Sequence, residues 1–215
     1  MVFAFDKYSQ FAVLQSNMHV NWAWKYCTTM KTDLSYGPSR IFETFPFPQN
    51  VGQLAESELD EIGEKYHELR SLIMFKTKIG LTKTYNLFNK DDLTVEDIVK
   101  GSRQCQEDCK DAHKNILTLR NFHKQMDEKV ISAYGWEDIK LAHDFYEVDY
   151  LPENDRIRYT ISPDARKEIL KRLLKLNHEI HEQEVKASLL AKEKTKKKKI
   201  KKKQKTGTPK QMEMF

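Results

Sequence analysis

The sequence predicts a mostly α-helical chain with a small β component, an α+β protein in which a helical hairpin or bundle follows a short mixed segment. Three observations carry that prediction. Apolar residues recur at spacings of three and four over residues 59–73 and 112–133, the period of a helix with one buried face. Only 7 Gly and 6 Pro occur in 215 residues, too few for a sandwich that reverses every ~8–12 residues. Charged residues reach 32%, above the usual ~25%, as solvated helix faces require.

Taken in order, Val2, Phe3, Ala4 and Phe5 read as a short buried strand, apolar throughout. Ser9 offers an N-cap for a helix that runs through Phe11, Ala12, Val13 and Leu14 toward Trp22 and Trp24. Ser35 to Ser39, with Gly37 and Pro38 between them, read as a turn. Arg40 to Pro48 should be extended and not helical, because Pro46 and Pro48 push the residues before them out of the α region. From Ser57 the period becomes helical, with Leu59, Ile62, Tyr66, Leu69 and Ile73 on one face and an end expected near Gly80. After a loop over Asn86 to Asp92, Ala112, Ile116, Leu119, His123, Met126, Val130 and Ala133 keep a strict alternation of four and three until Gly135. These two helices should pack antiparallel; about three heptads favour a hairpin over a coiled coil.

Residues 136–156 read as irregular and acidic, with Trp136, Phe145, Tyr146 and Tyr150 available to pack. Ile157 to Ile161 alternates like a strand. Ser162, Pro163 and Asp164 then supply a cap, a first-position proline and a first-turn acid for a long helix. Its apolar face is Ile169, Leu170, Leu173, Leu174, Leu176 and Ile180. Beyond Lys192 no apolar face survives, and disorder is expected. The division that follows is 1–50, 51–191 and a lysine-rich tail at 192–215.

The formal net charge of +5 conceals two unlike parts. Residues 192–215 hold eleven Lys and two acids, so the remainder carries 26 basic and 30 acidic residues. The body is therefore mildly acidic, and the whole-chain charge says nothing of its affinity for nucleic acid. No apolar run reaches the ~18 residues of a membrane span, and the N-terminus lacks the ~7–15-residue apolar core of a signal peptide. Three Cys fit a reducing cytoplasm better than a disulfide framework.

Several partial motifs are incomplete. Cys105, Cys109 and His113 share a helical face but lack a fourth ligand from a second element. His178, Glu179, Ile180 and His181 fall one residue short of H-E-x-x-H, which turns the two imidazoles apart. Asp164 and Glu184 with Lys186 imitate a nuclease carboxylate–lysine set, yet one predicted helix separates them by ~30 Å. No phosphate loop, nucleophile elbow or nucleotide fingerprint occurs. His123, on the helical seam, reads as a core histidine hydrogen-bonded once. Metal, cofactor and catalytic residues are accordingly expected to be none.

Three stretches in order resemble one family: Phe11 to Trp22, Tyr36 to Arg40, and Phe42 to Pro48. They look like the end of the target-recognition region of large single-chain type II restriction-modification enzymes and adenine-specific DNA methyltransferases. Leu81 to Phe88, Met126 with Asp127, Ala133 to Trp136, and Leu151 to Pro163 resemble the helical C-terminal part of the same enzymes. The resemblance covers roughly residues 2–185. The chain departs from the family in lacking Asn-Pro-Pro-Tyr/Phe and a glycine-rich S-adenosylmethionine loop, so it looks like a C-terminal piece of such an enzyme.

The resemblance implies a role in holding double-stranded DNA, with S-adenosylmethionine bound and methyl transfer performed by a separate catalytic chain or domain. Lys25, Lys31, Ser39 and Arg40 flank the signature segments and are the candidates for base or phosphate contact. Lys196, Lys197, Lys198 and Lys199 in the tail would bind phosphates without sequence preference. Trp22, Trp24, Phe42, Phe45 and Phe47 are expected to be core. The alternative is a non-enzymatic helical protein-interaction module whose basic tail attaches it to nucleic acid.

Overall fold

The structure is a computed structural model that describes residues 5–30, 33–49, 53–102 and 104–205. The described residues up to Leu173 form one compact unit, and those from Leu174 onward form a second. In the first unit, α1 (Tyr8–Gln15) and α2 (Asn17–Tyr26) lead into a hairpin of β1 (Thr28–Met30) and β2 (Asp33–Ser35). A π-helical turn, Pro38–Phe42, follows. The helical body is α3 (Gln53–Thr77), α4 (Leu81–Phe88), α5 (Val95–Ser102) and α6 (Gln106–Ala133). β3 (Asp144–Glu147) pairs antiparallel with β4 (Ile157–Thr160) in the register Asp144↔Thr160, and α7 begins at Pro163. The chain is therefore mostly helical with a small β component, as predicted, and both strand pairs are antiparallel.

The two periodic helices pack as their patterns require. Leu59, Ile62, Tyr66 and Ile73 of α3 are buried, as are Cys109, Ala112, Ile116, Leu119, Met126 and Val130 of α6. Their antiparallel direction is visible in the ion pairs at either end. Lys129, late in α6, meets Glu58, early in α3, whereas Asp111, early in α6, faces Lys76, late in α3. α6 ends as Gly135 predicts. At φ +71° this glycine donates its N–H to Ser132 O, while Trp136 N–H reaches back to Ile131 O, the paired bonds of a Schellman ending. α7 starts as predicted too, with Ala165 N–H donating to Ser162 Oγ.

Where the structure departs from the sequence reading, a tertiary contact or a short-range bond explains most of it. Residues 2–4 lie outside the described residues. The expected continuous first helix is broken at Ser16, which is extended at ψ 157°. Ser9 is not its cap; Lys7 occupies that position. Arg40 to Phe42 lie in the π-helical turn and Glu43 is in the α region, not in an extended run, since none of the four precedes a proline. α3 stops at Thr77, with Lys78 in the left-handed region at φ 55°, and Gly80 is the N-cap of α4. α4 includes Asn86 to Phe88, so the loop is shorter than expected. Buried Arg120 of α6 closes that end of α4 by donating to the carbonyls of Phe88 (2.9 Å) and Leu87 (3.3 Å). Residues 144–147 are a strand, recognisable only through their pairing with β4.

α7 continues as helix to Lys205, past the point where disorder was expected. Lysine is a good helix former, and a helix already started extends one bond per residue. Lys175–Glu179 and Lys186–Glu182 ion pairs at i,i+4 support the second unit.

One glycine marks the contact between the N-terminal segment and the body. A Cβ at Gly63 of α3 would stand 2.5 Å from the backbone O of Tyr8 at the start of α1. Gly63→Ala is therefore expected to lower unfolding stability by about 1–2 kcal/mol, although alanine is the better helix former by ~1 kcal/mol. Urea unfolding measures this. An unchanged or higher midpoint would mean that α1 can move away freely.

Candidate nucleic-acid interface

The N-terminal segment is a pair of short helices that cannot cap themselves. α1 ends because Ser16 turns extended, its Oγ donating to Val13 O at 2.7 Å and its N–H to Ala12 O at 3.0 Å. Neither Lys7 before α1 nor Ser16 before α2 provides a side-chain cap. The free N–H groups of a helix start need an acceptor, and here the body supplies one for each. Asp60 of α3 accepts from Ser9 N–H at 2.8 Å, and Asp127 of α6 accepts from Asn17 N–H at 2.8 Å. A carboxylate also suits the positive end of each helix.

Asn17 is saturated. Its Nδ2 donates to Asp127 Oδ2 (2.6 Å) and lies 3.1 Å from His123 Nε2, which accepts. Its Oδ1 accepts from Thr160 Oγ1 at 2.6 Å, and its carbonyl accepts from Asn21 Nδ2 at 2.7 Å. Asp127, wholly buried, also receives His143 Nε2–H at 2.7 Å. Burial pushes the Asp127 carboxyl up, but neighbouring His123 and the hydrogen bonds from His143 and Asn17 outweigh it. The net effect holds it ionised, below the usual carboxylate value. Burial pushes His123 down, against the pull of Asp127 beside it. One network thus joins α2, α6 and β4.

Around this polar centre the aromatic side chains lock the segment down. Trp22 and Phe45 are buried, and Phe42 and Phe47 are half-buried. Phe45 meets Phe47 edge-on at 5.1 Å, and Tyr134 donates to Pro46 O at 2.8 Å. Trp22 and Phe45 are core, as expected, and Phe47 packs against them, whereas Phe42 does not reach the buried core. Trp24 is only half-buried and stacks on Tyr150 at 4.6 Å. His19 bonds Tyr36 Oη at 2.9 Å, and burial lowers its pKa to about 4.

The polar candidates face outward from this platform. Lys25 is exposed in the last turn of α2, and Ser39 and Arg40 are exposed on the π-helical turn. Lys31 lies outside the described residues. Lys196, Lys197, Lys198 and Lys199 belong to the backbone of α7, but their side chains are outside those described. Cys105 is exposed and bonds Asp108, Cys109 is buried against Ser102, and His113 bonds Leu93 O, so each already has a partner of its own. Asp60, Asp127, His143 and Thr160 were not recognisable from the sequence as anchors of this segment. The available signal was a carboxylate four residues after His123, beside an otherwise apolar seam.

Residues 1–49 match the family model described as MmeI, target recognition domain. The N-terminal part of the chain is thereby supported as a restriction-modification recognition domain. The match covers less than a quarter of the chain, the part that the body caps through Asp60 and Asp127. Comparison with curated proteins and with solved structures gives no match. No helix among the described residues is long and apolar enough to cross a membrane.

Proposed function

We propose that this chain holds and orients double-stranded DNA for a restriction-modification system, as a recognition segment carried on a helical support. The recognition-domain match of residues 1–49 carries the reading. The fold supports it: both recognition helices take their caps from the body, so the segment is presented as one piece with its support. Methyl transfer belongs to another chain or domain of a cytoplasmic assembly. The seven Gly stand singly and no Asn-Pro-Pro occurs, so the residues present do not fit S-adenosylmethionine, which needs close backbone approach at a glycine-rich loop. Calorimetric titration should show no binding of that cofactor; a micromolar dissociation constant would overturn this part of the proposal.

Lys25, Lys31, Ser39 and Arg40 are the proposed contacts of the body, with Lys196, Lys197, Lys198 and Lys199 adding phosphate attraction. Gel shifts should compare the full chain, a chain ending at Ala191, and a Lys25→Ala/Arg40→Ala variant on a pool of duplexes. The shortened chain should bind more weakly while keeping its sequence preference. The double variant should lose about 0.9 per lost phosphate contact from the salt slope. If all binding leaves with the tail and no preference is found, the recognition reading fails.

One observation favours the second reading, a helical protein-interaction module. On α3, Leu72 is 41% and Phe75 71% exposed, and both line an open groove with Phe122. Contiguous apolar patches mark interaction sites, and these two residues lie one helical turn apart. The same gel shifts separate the two readings.

A further inference from the structure

We propose that an open groove between the end of α2 and the start of α7 seats the phosphodiester backbone of a DNA duplex, through Lys25, Arg166 and Lys167. The inference deepens the function proposed above and rests on it; it carries the DNA contact out of residues 1–49 and into the helical support.

The groove encloses about 660 Å³, and Lys25, Arg166 and Lys167 line it together with Trp24 and Tyr150. Its shape comes from the fold. α2 is held by Asp127, so its last turn places Lys25 at one side. Pro163 starts α7 on the other side and brings Arg166 and Lys167 into its first two turns. Trp24 and Tyr150 form the wall between them, stacked at 4.6 Å and 19°. Arg166 does not swing freely: its Nη2 donates to Glu147 O at 3.1 Å. A guanidinium already held in place gives up little side-chain freedom on meeting a phosphate and can offer it two parallel N–H groups. Lys167 and Lys25 are exposed, as point charges for neighbouring phosphates would be.

Two carboxylates, Glu147 and Asp149, also line the groove. Glu147 also pairs with Arg156 at 3.4 Å, outside that lining. Three lining cations against two carboxylates, one of them shared with Arg156, favour a polyanion. The groove is open, which suits a polymer passing through better than a small molecule enclosed on all sides. It is also continuous with α2, an element of the recognition-domain match.

The test measures fluorescence anisotropy of a labelled DNA duplex with the full chain across a range of salt concentrations. Lys167→Gln and Arg166→Gln should each make the plot of log affinity against log salt shallower by about 0.9. Asp149→Asn should tighten binding at low salt. Lys167 and Asp149 are exposed, so their variants carry the test even if Arg166→Gln, which loses its bond to Glu147 O, melts early. If the parent chain binds the duplex and all three variants match it in slope and affinity, the groove does not hold the backbone. If polyglutamate displaces the duplex as well as unlabelled DNA does, the groove is a site for acidic polypeptide and the proposal is wrong. If the parent chain binds no duplex even at low salt, the function proposed above fails first and the groove falls with it.

Discussion

Asp127→Ala is expected to destabilise the protein by about 3–5 kcal/mol, the scale for removing one partner from a buried charged network. The side chain is fully buried and accepts from Asn17 N–H, Asn17 Nδ2 and His143 Nε2. Alanine leaves those donors without an acceptor in a place water does not reach, and each such loss costs about 1–3 kcal/mol. Asp127→Asn should cost less, because its amide oxygen still accepts one of the bonds. Asp60→Ala, at the partly exposed partner site on α1, should cost only the ~1 kcal/mol typical of a helix cap. Urea unfolding gives the three values. An Asp127→Ala loss no larger than that of Asp60→Ala would show that the buried network does not anchor α2. Duplex binding should weaken along with stability in Asp127→Ala, because the α2 platform behind Lys25 is loosened.

The protein should lose stability progressively as pH falls below about 6.5. His19 is buried, and burial lowers its pKa from 6.5 to about 4. In that window the unfolded chain binds a proton that the folded chain refuses. Stability therefore falls as pH falls, by about 1.4 kcal/mol per pH unit for one proton. Over the whole window His19 alone removes roughly 3 kcal/mol. His123, lowered in the same way by burial and partly opposed by Asp127, acts with the same sign. Asp127 is lowered instead of raised on balance, so its contribution is present above the ordinary carboxylate value of 3.8 and disappears below it. Unfolding midpoints across a pH series should show the decline. His19→Gln, which can still bond Tyr36 Oη, should make it shallower by one proton. A parent midpoint that stays level from neutral pH to about pH 4.5 contradicts this account.

The tail bears on how such measurements are read. α7 extends to Lys205, and its lysines concentrate positive charge that attracts any duplex irrespective of sequence. Experiments on recognition therefore compare variants within chains that share the same tail, or compare chains with and without it. The body's own contribution shows as preference between sequences and as changes in salt slope at Lys25, Arg40, Arg166 or Lys167.

What could be read from the chain followed from local repetition and local chemistry. The seam of α6 was legible because Ala112 to Ala133 repeats one buried face, and its end because Gly135 alone can take φ +71° without strain. The start of α7 was legible because Ser162 and Pro163 act on their own neighbours. The aromatics of the N-terminal segment were legible as core, since Trp22 and Phe45 have nowhere else to place their area. The stretch Phe11 to Pro48 also pointed to a recognition region, and the matched residues 1–49 agree with it.

The break at Ser16 was not legible, because its reason lies 110 residues away in Asp127, which accepts the N–H that a continuous helix would have used internally. β3 was hidden for the same kind of reason: Asp144, Phe145, Tyr146 and Glu147 show no alternation, and the strand exists only through its pairing with β4. The groove beside Trp24 exists only because residues of α2, of the loop at Tyr150 and of α7 are brought to one opening. The sequence by itself determined the buried faces of α3 and α6, the end of α6 and the start of α7, because those depend on residues within a turn or two. Tertiary structure alone decided how the recognition segment is divided, capped and held, because a buried N–H takes whichever acceptor the fold brings to it.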